Sequence, residues 1–252
     1  MEEVLVYFAL KYHGEFDMIF KALEDKEVVD PELKKELFAS CKSSYTTIIS
    51  EDYPEILRSI NCPPFVLFYY GDLSLLDRDC TGVVGMRHPS LYGIQATKTL
   101  VTGLCEHGHT IVSGMALGID SVAHYSAIEA KGATVAVLGG GIDYPYPKRH
   151  QELYEILKKD YLVISEYPND LVPRKDGFPK RNRIIAGISD QLLVCEANER
   201  SGTMITVGFA LEQGKDIFAV PSGIFDSIGC NRLIQQGAKL VNDVSDILDE
   251  LN

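Results

Sequence analysis

Between Pro173 and Gly187 the sequence reads PRKDGFPKRNRIIAG, where Arg174, Lys175, Lys180, Arg181 and Arg183 stand beside a single acid, Asp176. Five cations this close together can neutralise phosphates, and Phe178 among them offers a ring for a base to stack on. Cations along a backbone and aromatics under bases are the two working parts of a single-strand groove. A solvated helix start, whose apolar continuation Ile184-Ile185-Ala186 belongs to the core, fits the same residues. The cluster stands out because the chain of 252 residues has 36 acids against 24 lysines and arginines, a formal net charge of −12. That summed field repels phosphate at long range. Screening over about 8 Å at physiological salt still lets a local basic pocket hold it.

Other candidates lie where short apolar runs give way to small residues. Gly85-Met86-Arg87, with Ser90 placed to cap a helix from about Leu91, could hold a phosphate on backbone amides, a helix N-terminus and a guanidinium; a tight turn with a surface ion pair is the alternative. Gly114 opens a second such turn, where Asp120 reads as a helix cap and His124 as a buried histidine rather than as a catalytic pair. Gly139-Gly140-Gly141 lacks the GxGxxG spacing of a dinucleotide loop, but Tyr144, Tyr146, Lys148 and Arg149 follow it and combine stacking with phosphate contact. Ser201-Gly202-Thr203 precedes a helical segment, and its hydroxyls suit either a phosphate or an ordinary N-cap. His107 and His109 read as loop residues.

These residues need a scaffold, and the periodicity supplies one. Residues 2 to 57 carry apolar positions three and four apart, in LVYFALKYHG, DMIFKALED and PELKKELFAS, broken by Gly14 and Pro31. This predicts a small helical module over residues 1–60. After Asn61-Cys62-Pro63-Pro64, buried-strand runs recur: PFVLFYYG, CTGVVG, TIVSG, ATVAVLGGG, YLVISE, QLLVCEA, DIFAVPS and AKLVND. Ten to twenty helical residues separate most of them, so βαβ crossovers and a mostly parallel sheet follow for residues 61–252. The expected class is α/β, an extended Rossmann-like doubly wound sheet with a small N-terminal helical module. Ligands of such sheets bind at the carboxyl ends of the strands, which would gather the glycine-rich ends into one anion-accepting rim. Six scattered cysteines form no CxxC pair and no zinc spacing, so reduced thiols and no metal are expected. The N-terminus has no basic leader and no run long enough to span a bilayer, so the expected location is the cytoplasm, with no membrane partner.

In order, VVGMRHPSLYG, SGMALGIDSVAH, TVAVLGGGIDYPYPKRH, ISEYP, FPKRNRIIAGISD, VCEANERSGTMIT and IFAVPS resemble the DprA/Smf family of DNA-processing proteins, over about residues 53 to 240. The resemblance implies a non-catalytic protein without a cofactor. It would bind and protect single-stranded DNA in natural transformation, load a RecA-type recombinase and form a homodimer. Carried over, the family's DNA pocket falls on Gly85, Arg87, Lys148, Phe178, Lys180, Arg181 and Arg183. Met86, Ser90, Gly114, Asn182, Ser201, Gly202 and Thr203 complete the expected DNA-binding set. Three positions depart from the family pattern: Met86 replaces a Ser or Thr, His150 an Asn and Ser222 a Gly, which implies weaker or retuned contacts rather than lost binding. The N-terminal module resembles the family's sterile-alpha-motif-like one, and no appended winged-helix domain is expected. The rival reading is an enzyme of the lysine-decarboxylase-like, N-glycosidic-bond-cleaving type, with RSGT as its turn and Glu166, Glu196 or Glu199 as the acid. A nicotinamide dinucleotide sensor resting on Gly139 to Gly141 is the third.

Overall fold

A computed structural model describes residues 1–250. In chain order the helices are α1 (Glu2–Lys11), α2 (Phe16–Glu24), α3 (Pro31–Ser40), α4 (Glu55–Arg58), α5 (Leu91–Glu106), α6 (Ile119–Glu129), α7 (Gln151–Asp160), α8 (Gly177–Ile188), α9 (Gly202–Glu212), α10 (Gly229–Gln235) and α11 (Ser245–Leu248). The strands are β1 (Ser44–Thr47), β2 (Val66–Gly71), β3 (Cys80–Gly85), β4 (Thr110–Ser113), β5 (Ala133–Val137), β6 (Leu162–Ser165), β7 (Gln191–Glu196), β8 (Asp216–Ala219) and β9 (Lys239–Leu240). Contacts divide the chain into two compact units, residues 1–73 with 138–181 and residues 74–137 with 182–252. The division is discontinuous, each unit being built from two separate stretches of chain.

The first unit holds α1 to α4, where the sequence places its helical module, and adds three strands. β2 pairs antiparallel with β1 on one side and with β6 on the other. β1 is the element that the helical reading of residues 2–57 does not contain. Its sequence SYTT has no apolar alternation, and only Thr46 and Thr47 are buried. α1 buries six consecutive residues, Leu5 to Leu10, which is why its apolar pattern is continuous rather than striped. α3 starts at Pro31 behind Asp30, whose carboxylate accepts the N–H groups of Glu32 and Leu33, a regular N-cap.

The second unit holds six strands in the order β5-β4-β3-β7-β8-β9, every neighbouring pair parallel. Numbered from β3 this is the doubly wound order 3-2-1-4-5-6, whose reversal lies between the first and fourth strands, here β3 and β7. Val83, Leu193 and Phe218 of the sheet pack with Leu100, Val101 and Leu104 of α5 and with Ile119, Ala123 and Ala127 of α6. His124 is buried there, its Nδ1 2.8 Å from Thr134 Oγ1. Cys80, Cys195 and Cys230 are buried as free thiols, and burial pushes each up to about 12. Such thiols are inert at neutral pH.

Candidate nucleic-acid interface

At the reversal point of the second unit, β3 ends in Gly85 and β7 in Glu196, and the turn between Gly85 and Ser90 is fixed by backbone bonds. Met86 N–H donates to Glu196 O at 2.9 Å, and Ile119 N–H donates to Met86 O at 3.1 Å. Gly118, with φ +79° and ψ −128°, lets the next loop pass underneath: a Cβ there would lie 2.2 Å from Met86 O. The result is a rigid turn with Arg87 and His88 exposed on it.

The start of α5 is occupied from within. Ser90 caps it as expected, its hydroxyl accepting Gly93 N–H at 3.1 Å. Glu196 is buried, and its Oε2 accepts the Ser90 N–H at 2.9 Å and the Ser90 hydroxyl at 3.1 Å. A carboxylate therefore sits where an anion at this helix N-terminus would sit, favoured by the same dipole. Glu196→Ala strips the bound carboxylate from Ser90 and is expected to cost about 1–3 kcal/mol, a melting temperature lower by roughly 2–10 °C. Differential scanning calorimetry reads it; an unchanged melting temperature would show the bonds to be idle.

The remaining small donors of this unit are also engaged. Gly114 N–H donates to Asp120 Oδ2 at 3.2 Å, so the carboxylate braces the preceding turn instead of capping α6, whose N-cap, Gly118, has no side-chain bond. Thr203 is buried and donates its hydroxyl to Gly85 O at 3.0 Å, while Ser201 donates to Asn198 O at 2.9 Å. Ser201 is the N-cap of α9 by position and makes no side-chain cap bond. Gly202 is exposed, with open space around it. Met86, half-buried, accepts the Ser227 hydroxyl on its sulfur at 3.2 Å.

The first unit carries Lys148, exposed in a 3-10 turn leading into α7, and Phe178, half-buried at the start of α8. The rings of Tyr146 and Phe178 lie 5.3 Å apart at 43°, and Tyr146 is exposed. Gly139-Gly140-Gly141 has a packing reason rather than a dinucleotide one. Cβ atoms there would meet Phe178 Cδ1 at 2.8 Å, Pro173 Cγ at 2.5 Å and Asn169 O at 2.3 Å, so the segment before α8 lies directly against the glycine backbone.

The cations of the basic segment differ from one another. Lys180 and Arg174 are exposed and share two acids, Glu15 and Asp176. The hydrogen-bonded Glu15 carboxylate raises the Lys180 amine above its ordinary value. Arg181 and Arg183 are only 4 % and 8 % exposed and are both partnered, with half-buried Asn182 between them. α8 belongs to the first unit as far as Arg181 and to the second from Asn182, so Arg87 and Lys148 belong to different units. Of the acids that an enzyme would need, Glu196 is held by Ser90 and Glu199 pairs with Arg232 at 2.9 Å. Among the described residues, no cluster of His, Cys, Asp and Glu side chains is suited to a metal ion. No described helix is long and apolar enough to cross a membrane.

The six parallel strands and their order make this a Rossmann-like α/β protein, with its candidate rim at the strand ends. The sequence profile of the DNA recombination-mediator protein A family matches residues 44–252, and the chain belongs to that family. DNA processing protein DprA of Bacillus subtilis is 42% identical over 226 residues, covering 88% of this chain and 76% of that protein. The X-ray structure of DNA processing protein A from Streptococcus pneumoniae superposes with a TM-score of 0.83 at 37% identity, covering 98% of this chain and 93% of that one. DNA processing protein A from Helicobacter pylori, solved for its single-stranded DNA binding mode, gives a TM-score of 0.75 at 31% identity, covering 83% and 96%.

Proposed function

We propose that the protein binds single-stranded DNA without reading its sequence, protects it during natural transformation and delivers it to a RecA-type recombinase in the cytoplasm, without catalysing a reaction. The observation that carries this reading is the likeness, over most of the chain, to a Helicobacter pylori protein that binds single-stranded DNA. Arg87 on its fixed turn and Lys148 supply exposed charge, and Lys180 supplies more once its acids release it. Phe178, capped by Tyr146, supplies the stacking surface. Arg181, Asn182 and Arg183 are buried or half-buried and offer less to a phosphate than the exposed cations do. Gly85, Met86, Ser90, Gly114, Ser201, Gly202 and Thr203 form the backbone rim, in which Gly202 and the α9 N-terminus are the most open part. A homodimer presents two such sites, and the avidity compensates for the few nucleotides each one covers.

A mobility-shift titration of single- against double-stranded DNA across salt tests the reading. The expected result is a preference for the single strand and a log–log salt slope near −2, about −0.7 for each of the three exposed cations Arg87, Lys148 and Lys180. Equal binding of both forms, or a slope near zero, would refute it.

A further inference from the structure

Glu15 immediately precedes α2, far in sequence from the basic segment, yet its carboxylate lies between two of that segment's cations. Oε1 accepts from Arg174 Nη1 at 2.9 Å and Oε2 from Lys180 Nζ at 3.0 Å. Asp176 Oδ2 closes the network at 3.2 Å from Arg174 and 3.3 Å from Lys180. The Glu15 side chain is 25% exposed, against 62% for Arg174 and 44% for Lys180. The cations therefore face solvent while the acid that holds them is half-buried. Glu15 makes no capping bond to α2, so its direction is not a by-product of helix capping. With Arg174, Gly139, Gly140 and Gly177 it lines a shallow open hollow.

We propose that Glu15 is an acidic latch, an internal anion that occupies Arg174 and Lys180 until the phosphates of a DNA strand displace it. The proposal rests on the reading of this segment as part of a single-strand site. One carboxylate is shared between two cations, whereas a strand offers a phosphate to each. Ion pairs as exposed as these hold weakly, so a polyanion that also engages Lys148 of the same unit competes successfully. A single nucleotide, with one phosphate and no further contacts, does not. The latch thus favours long strands over mononucleotides. It also makes the salt dependence shallower, because cations already neutralised from within release fewer counterions when DNA binds.

The test is a fluorescence-anisotropy titration of the full chain with labelled oligo-dT at several salt concentrations, comparing the parent with Glu15→Gln. The expected gain is roughly threefold to tenfold in affinity at low salt, with the salt slope steeper by up to about 1.4, or 0.7 for each released cation. Adding Arg174→Gln and Lys180→Gln to Glu15→Gln removes most of the gain. If Glu15→Gln melts early, Glu15→Asp, one methylene shorter and unable to span both cations, is read in the same way. A parent that binds DNA together with variants of unchanged affinity and slope overturns the latch alone. A parent that binds no single-stranded DNA overturns the underlying reading instead.

Discussion

Replacing Arg87 and Lys148 together by alanine is expected to weaken single-stranded DNA binding about 50-fold near 50 mM salt and hardly at all near 1 M. Each phosphate contact on a single strand contributes about 0.7 to the salt slope, so two lost contacts take about 1.4 from it. Both side chains are exposed, so the fold should be little affected and the melting temperature should stay within a few degrees of the parent. The choice of Arg87 follows from the turn that carries it. The Met86 N–H and the Ser90 N–H are bound to internal acceptors, and the turn they fix presents the exposed Arg87 side chain. Unchanged affinity and slope in the double variant would remove both residues from the site.

Gly118→Ala should be the most damaging single substitution near the rim. Its φ of +79° with ψ −128° lies where glycine alone sits comfortably, and an added methyl would come within 2.2 Å of Met86 O and 2.7 Å of Arg87 O. Neither obstacle is a flexible side chain that can swing aside. Backbone strain and overlap together should cost about 3–5 kcal/mol, which lowers the melting temperature by roughly 6–20 °C. The folded fraction should also bind DNA less well, since the Arg87 backbone must shift to make room. A variant melting within about 2 °C of the parent would show that the turn yields cheaply and is not rigid.

The sheet was the legible part of this chain. CTGVVG, TIVSG, QLLVCEA and DIFAVPS fall on β3, β4, β7 and β8, because a strand buried on both faces writes itself as an unbroken apolar run. β1 left no such trace in SYTT, and β9 shrank to two residues of the expected AKLVND. The site was legible as composition but not as energetics. A count of acids in the segment around Lys180 finds only Asp176, whereas folding brings Glu15 to it from 165 positions away. The same count weighs Arg181 and Arg183 equally with Lys180, though helix α8 turns the two arginines inward. Ser90 could be recognised as a cap from local sequence, but Glu196 beneath it could not, since 106 positions separate them. Long-range pairing of charges is set by topology, which periodicity only outlines.

The order in which the first unit is assembled follows from its broken sequence. β2 has β1 close by in the chain, but its other partner, β6, is encoded beyond the whole 74–137 segment. On a ribosome adding about 5–20 residues per second, β2 would wait roughly 5–20 s with one edge bare. Phe68 to Gly71, which pair with Ser165 to Leu162 in the finished protein, form that edge, and Phe68 is fully buried once it closes. An unpaired edge is an aggregation hazard, so a chaperone that shields residues 68–71 during synthesis is expected to raise the yield more than one acting after release.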